Sequence, residues 1–231
     1  MRNLDTLING ISLNAMGLYT VRRPDIPTPS KIYKRVKIMN RDGQLSKDTG
    51  LFDDIEFSID FNFMVDPDLI NESMRKFRKV FFKAQHLLIS DDPYFFYRVK
   101  EVSIGALSRA GLYKGAFTVV FRCDGYKYHI SGSRVMKDPK EYTYNPFDVC
   151  YPIYVLIGSG FHTLTVNGNS ITVDVPGKIF IDTELELAYT DNNESAMTRV
   201  SGDYKPLSLL PGSNSIACSC SLAVYTNWRC I

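Results

Sequence analysis

The sequence predicts a mainly-β protein: an α+β N-terminal module with one amphipathic helix, then an all-β C-terminal module of sandwich or jelly-roll type. Three observations carry this. Residues 55–63 alternate apolar and polar side chains almost without a break. Ile70, Met74, Phe77, Phe81 and Ala84 then recur at helical spacing. Beyond residue 146 the apolar runs are short, with turn residues between them at roughly 8–12-residue intervals.

The N-terminal elements follow in order. Asn9-Gly10 between Leu7-Ile8 and Ile11-Ser12-Leu13 is a two-residue hairpin signal, because both turn positions need positive φ. Ile32, Lys34, Val36 and Ile38 interleave with Tyr33, Arg35 and Lys37, the imperfect alternation of a half-covered strand, and Arg41-Asp42-Gly43 turns the chain. In the next strand Ile55, Phe57, Ile59, Phe61 and Phe63 share one face and Glu56, Ser58, Asp60 and Asn62 the other. Asp66 suits an N-cap and Pro67 the first helical position. The helix ends near Gln85, with Arg75, Lys76, Lys79 and Lys83 opposite the apolar stripe and acids towards its start, as the helix dipole favours. Strands over 94–104 and 115–122 complete the module, the second ended by Asp124-Gly125.

The boundaries read as 1–130 for the first module, 131–145 for a linker rich in Ser, Gly, Lys and Pro, and 146–231 for the second module. In the latter, strands are expected over 153–157 and 161–166, joined by Gly158-Ser159-Gly160 as a tight hairpin, then, after an Asn167-Gly168-Asn169 turn, over 171–175, 178–182, 184–189, 207–210, 215–223 and 224–228.

With 231 residues, 45% of them hydrophobic, the chain has apolar material for two cores, which sets aside disorder and disulfide-stapled miniproteins. Five cysteines, an odd number, read as reduced thiols. The stretch from Met1 to Asp5 has no apolar signal-peptide core, and the long uncharged runs over 149–173 and 206–228 are broken by Gly, Pro, Ser, Thr and Asn, so no predominantly apolar stretch of the ~18 residues of a membrane span is present. The net charge of +2 hides an asymmetry: residues 1–140 hold 23 Lys/Arg against 16 Asp/Glu, residues 141–231 hold 4 against 9. Opposite halves suggest modules that face different neighbours.

Catalytic signals are scarce. His86, His129 and His162 lack neighbours at metal-ligand spacing, and no zinc, EF-hand, nucleophile-elbow or kinase motif occurs. Cys218-Ser219-Cys220 puts both thiols on one strand face and reads as core packing rather than metal or redox use. Gly158-Ser159-Gly160 precedes a strand, whereas a phosphate loop opens a helix. Glu184 and Glu186 on one strand face, Asp53-Asp54 and Asp91-Asp92 in turns are the available carboxylate pairs, and the 191–194 loop lacks the ordered oxygen spacing of a calcium site. No cofactor is expected.

The order of features carries a resemblance. The hairpin Ile8-Asn9-Gly10 leads to Gly17-Leu18-Tyr19, the Arg41-Asp42-Gly43 turn, the alternating strand into Asp66-Pro67 and the helix, then Leu88-Ile89-Ser90-Asp91-Asp92-Pro93-Tyr94 and Gly115-Ala116-Phe117-Thr118-Val119-Val120-Phe121-Arg122-Cys123-Asp124. The second module adds Asn145-Pro146, Pro152-Ile153, Gly158-Ser159-Gly160, Leu164-Thr165-Val166-Asn167-Gly168, Ile179-Phe180-Ile181-Asp182 and Leu210-Pro211-Gly212-Ser213-Asn214. Over nearly its whole length the chain resembles the distal tail (Dit) proteins of long non-contractile-tailed bacteriophages.

The resemblance implies a structural, non-enzymatic hub without catalytic residues. N-terminal modules of six subunits would close a homohexameric ring at the distal end of the virion tail, each with a galectin-like β-sandwich projecting outward. The implied partners are the major tail tube protein, the tail-tip hub protein and, in some phages, receptor-binding proteins. No specific nucleic acid binding and no membrane span are implied, and the chain would be made in the host cytoplasm. For the subunit interface the expected segment is a protruding arm over Ser103, Ile104, Gly105, Ala106, Leu107, Ser108, Arg109, Ala110 and Gly111, longer than a tight turn requires. The same residues leave three other readings: a carbohydrate-binding module resting on the sandwich, the Tyr content and Trp228; a glycan hydrolase using Glu184 and Glu186; and the same ring protein in a tail-derived bacteriocin.

Overall fold

A computed structural model describes residues 4–109, 111–137 and 142–231. It is mainly β and divides into two compact units, residues 1–127 with Ile231 and residues 128–230.

The first unit contains β1 (Thr6–Ile8), β2 (Ile11–Ser12), β3 (Leu18–Thr20), β4 (Lys31–Val36), β5 (Leu45–Phe52), β6 (Ile55–Met64), α1 (Ile70–Phe81), β7 (His86–Ile89), β8 (Phe95–Ile104), β9 (Ser108–Arg109) and β10 (Lys114–His129). Its sheet runs β2-β1-β7-β8-β10-β6-β3, with β9 added on β10. β6 buries Ile55, Phe57, Ile59, Phe61 and Phe63 as the alternation requires. A 3-10 turn over Pro67–Leu69 precedes α1, whose Ile70, Met74, Phe77 and Phe81 are buried. Phe117 on β10 is the centre of the packing, with ring centroids 5.9 Å from Phe61, 6.3 Å from Phe63, 6.4 Å from Phe77 and 6.0 Å from Phe81. Offset and edge-on rings at these distances add to the area they bury.

Asn9 and Gly10 take φ of 51° and 81°, as the hairpin demands. Asn9 also does more than turn the chain. Its Oδ1 accepts from the Gln85 and His86 N–H groups at 2.9 Å each, and its Nδ2 donates to the Lys83 carbonyl at 2.7 Å, so it holds the chain leaving the helix. β10 is longer than expected and passes straight through Asp124-Gly125. The glycine there permits a close approach, since a Cβ at 125 would lie 2.5 Å from the Asp53 carbonyl oxygen.

The second unit contains β11 (Val135–Lys137), β12 (Tyr142–Asn145), β13 (Ile153–Val166), β14 (Asn169–Asp182), β15 (Leu187–Thr190), β16 (Val200–Ser201), β17 (Gly212–Cys218), β18 (Ser221–Tyr225) and β19 (Arg229–Cys230). The stretch read as linker therefore carries a 3-10 turn (Ile130–Ser133) and two strands, while 138–141 lie outside the described residues. The central path of the curled sheet is β11-β18-β13-β14-β15; β17 joins β12 to β13, and β16 pairs with β14.

Gly158-Ser159-Gly160 is not a hairpin. β13 and β14 form one ribbon of two 14-residue strands, paired from Ile153↔Asp182 to Val166↔Asn169, with Gly158 opposite Gly177. Gly160 and Gly177 have φ of 88° and 113°, so glycines let the ribbon bend where turns were expected. The ribbon reverses at Asn167-Gly168, the turn expected there, at φ 50° and 83°. The 207–210 strand is replaced by a 3-10 turn over Lys205–Leu207 and a single bridge from Leu209 to Cys150.

The core of this unit includes Tyr154, Leu156, Leu164, Val173, Ile181, Val224 and Trp228. Beside it lies a chain of buried amides. Asn214 is fully buried; its Oδ1 accepts from Leu210 N–H and Asn167 Nδ2, both at 2.8 Å, and its Nδ2 donates to the carbonyls of Leu210 at 2.7 Å and Gly212 at 3.0 Å. Asn145 likewise donates to the carbonyls of Asp148 and Leu209 and accepts from Phe147 N–H. The phrases ending in Asn214 and beginning at Asn145 thus encode loops tied to amide side chains.

Candidate assembly surface

Apart from Asp53, the carboxylates that suggested catalysis each face a cation. Glu184 and Glu186 lie in the turn between β14 and β15, not on a shared strand face, and Glu186 takes a φ of 53°. Glu184 faces Arg229 at 3.8 Å and Glu186 faces Lys205 at 3.4 Å. The buried Asp182 carboxylate organises that turn by accepting from the Glu184 and Leu185 N–H groups at 2.9 and 3.0 Å. Asp54 is held by Lys100 at 2.6 Å, Asp91 by Arg23 at 2.6 Å, Asp92 by Lys127 at 3.2 Å and Asp191 by Lys178 at 2.7 Å. Among the described residues, no group of three or more His, Cys, Asp or Glu is placed to hold a metal ion. No helix among them is long and apolar enough to cross a membrane. His86 packs edge-on to Phe96, His129 accepts from Ser131 N–H, and His162 sits 3.2 Å from Ser219.

The segment expected to protrude folds back on its own sheet. Ser103 and Ile104 end β8, Gly105 N–H donates to the Thr118 carbonyl at 2.8 Å, and Leu107 packs against the first core. Ser108 and Arg109 form β9 against Ala116 and Gly115, with Ala106 in the connection and Gly111 in the following bend. Ala110 lies outside the described residues. Leu112 and Tyr113, just beyond it, are exposed apolar side chains.

The element that does stand apart is the hairpin β4–β5. It forms its own two-stranded sheet, and between Lys31 and Phe52 only Ile32 and Phe52 are even half-buried. The strand alternation was correct, but neither face is covered. Its base is fastened by Asp53 N–H to the Ser30 carbonyl at 2.9 Å, by Lys31 to Asp48 at 2.9 Å, and by Phe52 packed edge-on against Tyr126 at 5.5 Å. Beyond the base, Val36 is opposite Leu45, with Ile38 and Met39 at the tip; Met39 is 87% exposed. An isolated two-stranded hairpin in water is marginal, so this one calls for a covering surface.

Charge concentrates in the same place. The first unit carries 20 Lys/Arg against 15 Asp/Glu, and residues 31–52 carry 6 against 2, so four of its five excess positive charges are here. Lys34 lies directly opposite Lys47, an unfavourable like-charge pair. Neither these two nor Arg35, Lys37 and Arg41 make an ion pair among the described residues. Sequence reading missed this site because alternation reports faces, not what covers them; the signal within reach was the local excess of Lys and Arg on a strand with apolar residues at its tip.

At the level of the fold, the chain is similar to a phage hub adsorption protein of known structure. The chain is similar to the crystal structure of the SPP1 Dit (gp 19.1) protein, described as a paradigm of the hub adsorption apparatus in Gram-positive infecting phages, with a TM-score of 0.65 and 13% identity over 96% of each chain. No family model matches the sequence, and no curated protein matches it.

Proposed function

We propose that this chain is a structural protein of a phage tail tip that assembles with copies of itself into a ring. The observation that carries the reading is the fold likeness to a hub adsorption protein across 96% of both chains. The uncovered hairpin supports it physically. A closed ring needs a heterologous contact, one surface of a subunit meeting a different surface of the next. The β4–β5 hairpin supplies one side of such a contact: open strand edges, an apolar tip and unneutralised cations. The receiving surface is then expected to carry carboxylates and an apolar recess. The 103–111 segment, beside exposed Leu112 and Tyr113, is a second contact in this proposal. Six copies, the tail tube and tail-tip hub as axial neighbours, and attached receptor-binding proteins complete the reading, at the distal end of the tail.

Light scattering and negative-stain imaging of the purified chain test it. A ring is expected for the natural sequence. Replacing residues 37–44 by a short turn should leave monomers whose Trp228 fluorescence and α1 helicity are retained. Rings that persist without the hairpin tip would remove the hairpin from the contact, and monomers at every concentration of the natural chain would remove self-assembly. Rings that survive deletion of 105–111 would dismiss the second contact.

A further inference from the structure

Cys218 closes β17, but Ser219 and Cys220 lie in the bend that follows rather than in a strand, so the two thiols are not spread along one strand face. Their sulfur atoms are 3.5 Å apart. The bend is short because of the neighbouring ribbon. β17 leaves β13 at Leu164, and β18 rejoins it at Ile157, so two residues cross the curl of β13 over 158–163. The crossing is pinned to Thr163 by two bonds: Ser219 N–H donates to the Thr163 carbonyl at 3.1 Å, and Ser219 Oγ accepts from Thr163 N–H at 2.9 Å. Gly158 leaves the room that Cys220 occupies, since a Cβ at 158 would lie 3.2 Å from the Cys220 Cβ. Both thiols are half-buried at the edge of the second core, within reach of a small reagent.

We propose that Cys218 and Cys220 are a redox-active thiol pair that closes to an intrachain disulfide in exchange with a low-molecular-weight disulfide of the glutathione class. The inference stands on the second unit alone and does not rest on the ring. The balance is that of ordinary exchange. One protein thiolate attacks a sulfur of the small disulfide, breaks its S–S bond and expels one thiolate. The second protein thiolate then attacks the protein sulfur of the mixed disulfide and expels the other small thiolate. The two protein protons end on the two small thiols, the protein loses two electrons, and one small disulfide becomes two thiols. A bond of about 2.05 Å requires the sulfurs to approach by about 1.5 Å, through side-chain rotation around a bend whose backbone is tied to β13 at Thr163. Burial and the hydrogen bond shared with Cys218 push Cys220 up to about 11, so thiolate is scarce near neutrality and the equilibrium product, not the initial rate, is the useful readout.

The full chain is equilibrated in mixtures of reduced and oxidised glutathione, quenched with an alkylating reagent, digested and mapped by mass. The peptide holding both cysteines is expected to lose the mass of two hydrogens and to carry no glutathione. It should pass from reduced to closed over about two decades of redox ratio, as a single two-electron step does. In Cys218→Ser or Cys220→Ser the remaining thiol should instead accumulate as the glutathione adduct; Trp228 fluorescence monitors folding, and the wild-type map stands without either variant. A wild-type peptide that retains glutathione, that links to another cysteine, or that stays alkylated at both positions in the most oxidising mixture would overturn the proposal.

Discussion

Replacing Asn214 by leucine, which has a similar size, should unfold the second unit selectively. The amide of Asn214 uses its full capacity of two acceptor and two donor positions. Leucine removes all four bonds and strands the Leu210 N–H and C=O, the Gly212 C=O and the Asn167 Nδ2. A buried group left without a partner costs roughly 1–3 kcal/mol. Leu210 is exposed, so water recovers part of the loss at its backbone, while Gly212 and Asn167 are half-buried. The expected net loss is about 3–5 kcal/mol, a large share of the ~5–15 kcal/mol that holds a typical domain. The assay is urea unfolding followed by tryptophan fluorescence. The chain has one Trp, and Trp228 sits in the second core, so the signal reports that unit alone.

Asn214→Asp sharpens the result. It keeps an acceptor but turns an oxygen towards two carbonyls, which favours the protonated carboxyl in the folded state and raises its pKa there. A raised folded pKa in an acid means that the cost is full above that pKa and is relieved as pH falls through it. The aspartate variant should therefore recover stability relative to wild type on acidification, whereas the leucine variant should not. A leucine variant within about 1 kcal/mol of wild type would refute the assignment of the loop's stability to this amide.

Other outcomes can be checked alongside. Lys34→Glu should convert the repulsive pair with Lys47 into an attractive one, slowing amide exchange in the free hairpin, yet weaken self-assembly by about tenfold, or ~1.4 kcal/mol, by light-scattering titration. Gly125→Ala should destabilise the first unit by about 1–3 kcal/mol in urea, because its Cβ would sit 2.5 Å from the Asp53 carbonyl oxygen. Cys123 and Cys150 are both fully buried, one in each unit, and burial pushes each thiol up to about 12. Each should resist a thiol reagent until its own unit opens, so mass mapping during a denaturant series should yield two separate midpoints.

Legibility in the sequence followed physical locality. The strand over 55–64, the helical stripe of α1 and the Asn-Gly turns at 9–10 and 167–168 were readable, because periodicity and positive φ are properties of neighbouring residues. Glycines at 125, 158 and 160 were misread as chain reversals. The same letter serves a turn and a close approach, and only the opposing strand or loop distinguishes them. Glu184 and Glu186 were placed on a strand because Asp182 closes the apolar run Ile179-Phe180-Ile181 and reads as its last residue, whereas its buried carboxylate builds an Asx-type turn that holds both glutamates. The 103–111 segment looked free because its length exceeds a tight turn, whereas its pairing with Gly115 and Ala116 is a tertiary contact.

The facing lysines of the hairpin have a consequence for the life of the chain before it meets any partner. Open strand edges with apolar residues are templates for fibre growth. In a parallel, in-register stack of identical hairpins, Lys34 and Lys47 of each copy would lie against the same cations of the next, adding repulsion at every layer. An acidic surface meets no such penalty. The cations that weaken the free hairpin thus act as gatekeepers, disfavouring endless stacking while leaving docking on an oppositely charged surface open.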